Sequence, residues 1–156
     1  MRSALAGLLF LVAATLARAA EVEFVRVWPA WRDADSFDRV SEYFGHGENQ
    51  GSRIVLRTRA DTRAGYYFLV RLAHTTAVAN AKFELQIIRP DAPEPKAFSF
   101  PATASAGSTV FELGLTGPDW PNGKDAHPVA WKLALVAGDG RVLAEQKSFL
   151  WEKPAK

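Results

Sequence analysis

Residues 53–72, RIVLRTRADTRAGYYFLVRL, are the most strongly patterned stretch of the chain, with one apolar face and one face carrying Arg and Tyr. The period of two predicts two strands joined by a loop over 61–65. As a hairpin, this unit sets Thr58 against Phe68, Leu56 against Val70 and Ile54 against Leu72. Ile54, Leu56, Tyr66, Phe68, Val70 and Leu72 then share the core face. Val55, Arg57, Arg59, Tyr67, Leu69 and Arg71 share the opposite one. In a strand pair, one face must be buried for the register to be fixed, and here that is the first set.

The same pattern recurs along the chain. Residues 21–28, EVEFVRVW, predict a first strand with Val22, Phe24 and Trp28 on one face, Val25 and Val27 on the other, and Pro29 as its end. Phe37, Val40 and Phe44 fall at helical spacing behind Asp35-Ser36, with Gly45 as a stop, so a short amphipathic helix is expected there, followed by a loop over 45–51. Residues 82–89 place Phe83, Leu85 and Ile87 inward. Pro90, Pro93 and Pro95 predict a stiff connection to a short strand over 97–100, since each fixes φ and removes a donor. After a flexible segment over 101–108, residues 109–115 turn Phe111, Leu113 and Leu115 inward, and a loop over 116–128 holds Trp120 between Pro118 and Pro121. Asp139-Gly140 is a tight-turn signal. It closes a hairpin of 129–137 with 141–151, with Trp131, Leu133, Leu135, Ala137, Val142, Ala144 and Leu150 on one face and Lys132, Glu145 and Lys147 on the other.

Seven to eight short strands, regular turns and one short helix define an all-β class: an antiparallel two-sheet β-sandwich of immunoglobulin or fibronectin-III size. A small barrel is the alternative. No internal repeat or linker divides the chain.

The N-terminus adds a compartment. Arg2, an uncharged run of 15 residues from Ser3 to Ala17, and the small residues Ala17-Arg18-Ala19-Ala20 have the form of a secretory signal peptide. The run is short for a bilayer-spanning helix, which needs about 18 residues, although an uncleaved anchor is the alternative. Residues 1–19 are therefore expected to be removed after Ala19 or Ala20, leaving one domain over 20–152 and a frayed tail over 153–156. The expected location is periplasmic or extracellular in a bacterium, with no membrane span after cleavage. The signal also changes the charge. Arg2 and Arg18 account for two of the 19 basic residues, leaving 17 against 17 acidic ones. A neutral mature chain gives no reason to expect nucleic-acid binding. The chain has no cysteine, which excludes thiol chemistry and disulfides, and its 48% hydrophobic content must hold the fold through the core.

Catalytic signatures are absent: there is no G-x-S-x-G, H-E-x-x-H or G-x-x-x-x-G-K-[ST]. Gly45, Gly47 and Gly51 have the wrong spacing for a dinucleotide loop. His46, His74 and His127 are dispersed, which suits exposed loop histidines better than a metal site. Asp33, Asp35 and Asp38 lack the glycine and distal glutamate of a calcium loop and are read as carboxylates at a helix start. No enzyme activity, cofactor or metal is expected. A hydrolase with a carboxylate pair brought together by the fold is the least favoured reading.

Two surface features remain. Arg57, Arg59, Tyr67 and Arg71 form the polar face of the central strands, with Arg57 diagonal to Arg71 in the hairpin register. Such a cluster either binds an anion or is accounted for within the domain, by pairing with Glu84 or Glu112 on a neighbouring strand or by packing under the helix. Trp28, Trp31 and Trp120 are candidate exposed aromatics; they can stack on sugar rings, anchor a protein interface, or plug the ends of the sandwich. The leading expectation is an exported, non-catalytic β-sandwich that binds a protein or an envelope component. The alternative is a module for carbohydrate or an anionic ligand. The residues say nothing of oligomeric state.

Overall fold

The computed structural model describes residues 21–38 and 52–152. The expected signal segment, the expected helix positions Val40 and Phe44, the loop with His46, and the expected C-terminal tail over 153–156 lie outside the described residues.

The described residues form eight strands: β1 (Val22–Arg32), β2 (Arg53–Arg57), β3 (Gly65–His74), β4 (Val78–Arg89), β5 (Ala92–Ala104), β6 (Gly107–Thr116), β7 (Ala130–Ala137) and β8 (Val142–Lys147). They form two four-stranded sheets, ordered β1-β3-β6-β2 and β5-β4-β7-β8. The chain is thus a two-sheet β-sandwich, and every strand pair is antiparallel except β2 with β6. Phe68, Val70 and Leu72 from the first sheet meet Phe83, Leu85, Ile87, Leu133 and Leu135 from the second, all fully buried. Each such side chain contributes on the order of 1.5–3 kcal/mol relative to exposure. This core is what a cysteine-free chain has in place of crosslinks.

The inward sets expected on β4 and β6 are the ones observed; on β7, Leu133 and Leu135 are buried and Trp131 packs against the core, while Ala137 at the strand end is half-buried and outside it. Four local expectations are corrected. First, β2 and β3 are not a hairpin. β6 lies between them, with Ile54 beside Phe111 and Leu56 beside Leu113 in parallel register. Parallel and antiparallel neighbours place alternate residues on the same faces, so the face assignment survives the change of partner.

Second, β1 carries a bulge between Phe24 and Arg26. The extra residue, Val25, inverts the alternation beyond it: Val27 packs in the core, while Trp28 is 54% exposed. The strand also continues through Pro29, which pairs with Phe68. An edge strand tolerates the missing N–H, and β1 is at an edge.

Third, the proline-rich 92–104 segment is itself one long strand on the other sheet's edge, closed to β4 through Pro90-Asp91 and to β6 through Ser105-Ala106. Pro93, Pro95 and Pro101 deny an incoming strand a continuous ladder.

Fourth, the β7–β8 register is as expected from Leu133–Gln146 through Leu135–Ala144 and then shifts, leaving Val142 exposed. Leu150 is exposed as well, because the chain leaves the sheet for a helical turn at Phe149–Glu152. Gly140 adopts φ +88 in the turn, as the Asp-Gly pair requires. Lys132 and Lys147 both pair with Glu145 on the solvent face.

Candidate functional site

The outer face of the β1-β3-β6-β2 sheet gathers most of the polar side chains singled out from the sequence. Its β2 side is covered. Residues 35–38 form a helical turn that lays Phe37 over Tyr67 at 5.1 Å between ring centroids, and both are buried beside Val55. Arg57 sits over the Phe37 ring at 4.6 Å and donates from Nε to the Tyr67 hydroxyl at 2.7 Å. That hydroxyl in turn donates to the Arg63 carbonyl at 2.5 Å. Gly114 makes this possible, because a Cβ there would lie 2.4 Å from the Tyr67 ring. Tyr67 therefore lies flat across a strand that has no side chain beneath it.

Next to this cluster is a buried carboxylate. Glu112, only 2% exposed, accepts from Arg53 Nε and Nη2 at 2.8 Å, with Arg32 Nη2 at 3.6 Å. Its other oxygen, Oε2, is buried and has no hydrogen-bond partner. Glu112 was expected as a partner for the candidate arginines, yet it takes Arg53 and Arg32 instead. Glu84, the other expected partner, pairs with Lys82.

The β1 side is open. Arg26, Trp28, Ala30 and Arg32 follow one another on this face, opposite Arg71, Leu69, Tyr67 and Gly65 of β3. Arg26 lies over the Trp28 ring at 4.3 Å. Beyond Trp28 runs a groove of about 340 Å³, lined by Trp31, Arg32, Asp33, Tyr67 and Leu69 among others. Trp31 has its ring edge on the core and donates from Nε1 to Asp33 Oδ1 at 2.9 Å.

The expected site residues are thus separated. Arg57 and Tyr67 are together under Phe37. Arg71 lies farther along β3 and faces Arg26, so its diagonal contact with Arg57 does not exist. Arg59 is outside the sheet and pairs with Asp119 at 3.4 Å, a carboxylate also held by Lys96 at 2.9 Å. Trp120 is not an exposed aromatic. It is 3% exposed, stacks on Tyr66 at 4.6 Å and donates to the Gly123 carbonyl, closing one end of the core. Trp28 and the rim of Trp31 remain accessible.

The histidines divide similarly. His74 is buried instead of exposed, bonded to the Thr76 carbonyl and the Thr109 hydroxyl. His127 meets the Tyr66 hydroxyl at 3.1 Å, a phenol whose pKa is pushed up by burial. Asp33 and Asp38 are engaged with Trp31 and Arg63 respectively. Among the described residues no three metal-ligating side chains converge.

Sequence reasoning missed Arg26, Arg32 and Arg53. Arg26-x-Trp28-x-Ala30-x-Arg32 is a period-two row that was legible in principle. It was hidden because the bulge at Val25 moves Trp28 to the face opposite Phe24.

The two stacked four-stranded sheets define the chain as a β-sandwich. The chain is similar to an immunoglobulin-like protein from Pseudomonas aeruginosa, at 17% identity over 82% of this chain and 94% of that one, with a TM-score of 0.35. No protein-family model matches the chain, and no curated protein does.

Proposed function

We propose that this is an exported, non-catalytic β-sandwich that binds a partner or envelope component through the open outer face of β1 and β3. The observation that carries the reading is Trp28. It is 54% exposed on a sheet face and bordered by a groove, whereas Tyr66, Phe68 and Trp120 are folded into the core and Tyr67 is covered by Phe37. Large aromatic side chains left accessible beside an Arg are typical anchors of recognition surfaces. Export rests on the N-terminal pattern of Arg2, the uncharged run and Ala17-Arg18-Ala19-Ala20.

Two measurements test it. Fractionation should recover the protein outside the cytoplasm with an N-terminus at Ala20 or Glu21; protein found only in the cytoplasm with an intact Met1 removes the export argument. Photocrosslinking from position 69 in envelope extract should give a discrete adduct that Trp28→Ala abolishes. Identical adducts with and without Trp28 would sink the surface assignment. A carbohydrate or anionic ligand is the second reading, favoured by the arginines that flank Trp28.

A further inference from the structure

Arg26 and Arg71 are registered directly opposite each other on β1 and β3, and both side chains are exposed on the outer face. Like charges at such a position, with Cβ atoms about 5 Å apart, repel and are unfavourable unless something offsets them. Other guanidiniums on this face have partners: Arg53 and Arg32 have Glu112. Among the described residues, neither Arg26 nor Arg71 makes an ion pair with a carboxylate. Glu23 is registered with Ala73, one strand pair further along, and pairs with neither. Arg26 instead covers one face of the Trp28 ring. Trp28 also lines the groove, together with Trp31, Arg32, Asp33, Tyr67 and Leu69.

We infer that this row is a binding site for an anionic saccharide. The inference rests on the reading of the outer β1–β3 face as the binding surface, and specifies what binds there. Arg26 and Arg71 supply two planar guanidiniums, whose forked donors match a carboxylate or sulfate. The exposed indole of Trp28, two residues or roughly 7 Å along the strand, supplies a platform for the adjoining ring. The groove beyond offers the Arg32 guanidinium and the Asp33 carboxylate to ring hydroxyls. A simple inorganic anion would use the arginines and leave the tryptophan idle. A neutral sugar would use the tryptophan and leave the arginines unpaired. An acidic sugar chain uses both, which is why the juxtaposition selects it.

The test uses the mature chain with oligogalacturonate, oligomannuronate and a chondroitin sulfate hexasaccharide, alongside neutral cellohexaose, sodium sulfate, and vesicles of phosphatidylglycerol in phosphatidylcholine. Calorimetry should show binding of at least one acidic oligosaccharide, weakened tenfold or more by Arg26→Gln with Arg71→Gln. Trp28→Ala should weaken it comparably, and Lys132→Gln on the other sheet should leave it unchanged. Circular dichroism melts of the variants separate lost binding from lost folding, and Arg71→Lys should retain part of the affinity. Equal binding of cellohexaose, binding of sulfate alone at the same strength, or binding of the vesicles and no oligosaccharide would each overturn the inference. If no saccharide binds while the Trp28-dependent crosslink persists, the ligand assignment fails and the surface assignment stands. If both vanish, the surface assignment fails with it.

Discussion

Arg57 donates from Nε to the hydroxyl oxygen of Tyr67 at 2.7 Å, beneath the ring of Phe37. The pair closes the β2 side of the outer sheet face and confines accessible surface to the β1 side. Tyr67→Phe keeps the ring and removes the oxygen, so the bonds to Arg57 and to the Arg63 carbonyl are both lost. Leaving such groups buried and unpaired costs about 1–3 kcal/mol. The urea midpoint should fall accordingly with an unchanged m-value, and loss of less than a few tenths of a kcal/mol would show that the bonds do not stabilise the fold.

Gly114 is required by the same tyrosine. Gly114→Ala places a methyl group 2.4 Å from the Tyr67 ring, so the ring must lift away from β6 and take its bond to Arg57 with it. Overpacking of this kind costs typically 1–3 kcal/mol. The substitution is expected to be non-additive with Tyr67→Ala, because the clash disappears with the ring. A double-mutant cycle on melting or urea data measures this. Additive effects would mean that the alanine is strained for another reason.

These contacts show what the chain's pattern could and could not reveal. Alternation assigned Val55, Arg57 and Tyr67 to one face and Ile54, Phe68 and Val70 to the other, and the structure keeps both sets. It could not say which strand lies beside β2, because a parallel neighbour from residues 110–114 satisfies the same faces as an antiparallel one from 68–72. Nor does alternation reveal one inserted residue: Val25 alone moved Trp28 from an expected inward row to the open face. The prolines of β5 read as a connection because only the order of strands shows that they sit at an edge. The grouping of Arg57 with Tyr67 was therefore legible, whereas the meeting of Arg26 with Arg71 depends on pairing between distant segments.

Glu112 is the buried acid of the outer face, and its partners Arg53 and Arg32 come from two different strands. Breaking a buried pair by removing one partner costs up to about 3–5 kcal/mol; here the arginines retain some solvent contact, so roughly 2–3 kcal/mol is expected for Glu112→Ala. Glu112→Gln keeps the shape but surrenders the charge that holds Arg53, and should lie between wild type and alanine. Denaturant titrations should return that order. A Glu112→Leu variant as stable as wild type would show that the contacts of Glu112 with Arg53 and Arg32 do not stabilise the fold.

Asp119 links the loop after β6 to β5 through Lys96 and to the chain after β2 through Arg59. Burial opposes its charge, but hydrogen bonds from Lys96 and Thr58 and the charges of Lys96 and Arg59 outweigh it, holding the carboxyl below its ordinary value. A carboxyl with a lowered pKa in the folded state stabilises the fold above the ordinary value near pH 4, and that contribution is lost as the pH falls through the lowered one. Glu145, held down by hydrogen bonds from Lys147 and Lys132, titrates in the same region, so the wild-type acid limb mixes several groups. The difference between wild type and Asp119→Asn isolates one of them. It should be about 0.5–1 kcal/mol at pH 7, since both cations are well exposed and screened. It should shrink toward zero below pH 3 and also diminish in 0.5 M salt. Melting curves from pH 2 to 7 provide the comparison, and a difference that grows on acidification would show that the Lys96–Asp119–Arg59 linkage does not stabilise the fold as a charged network.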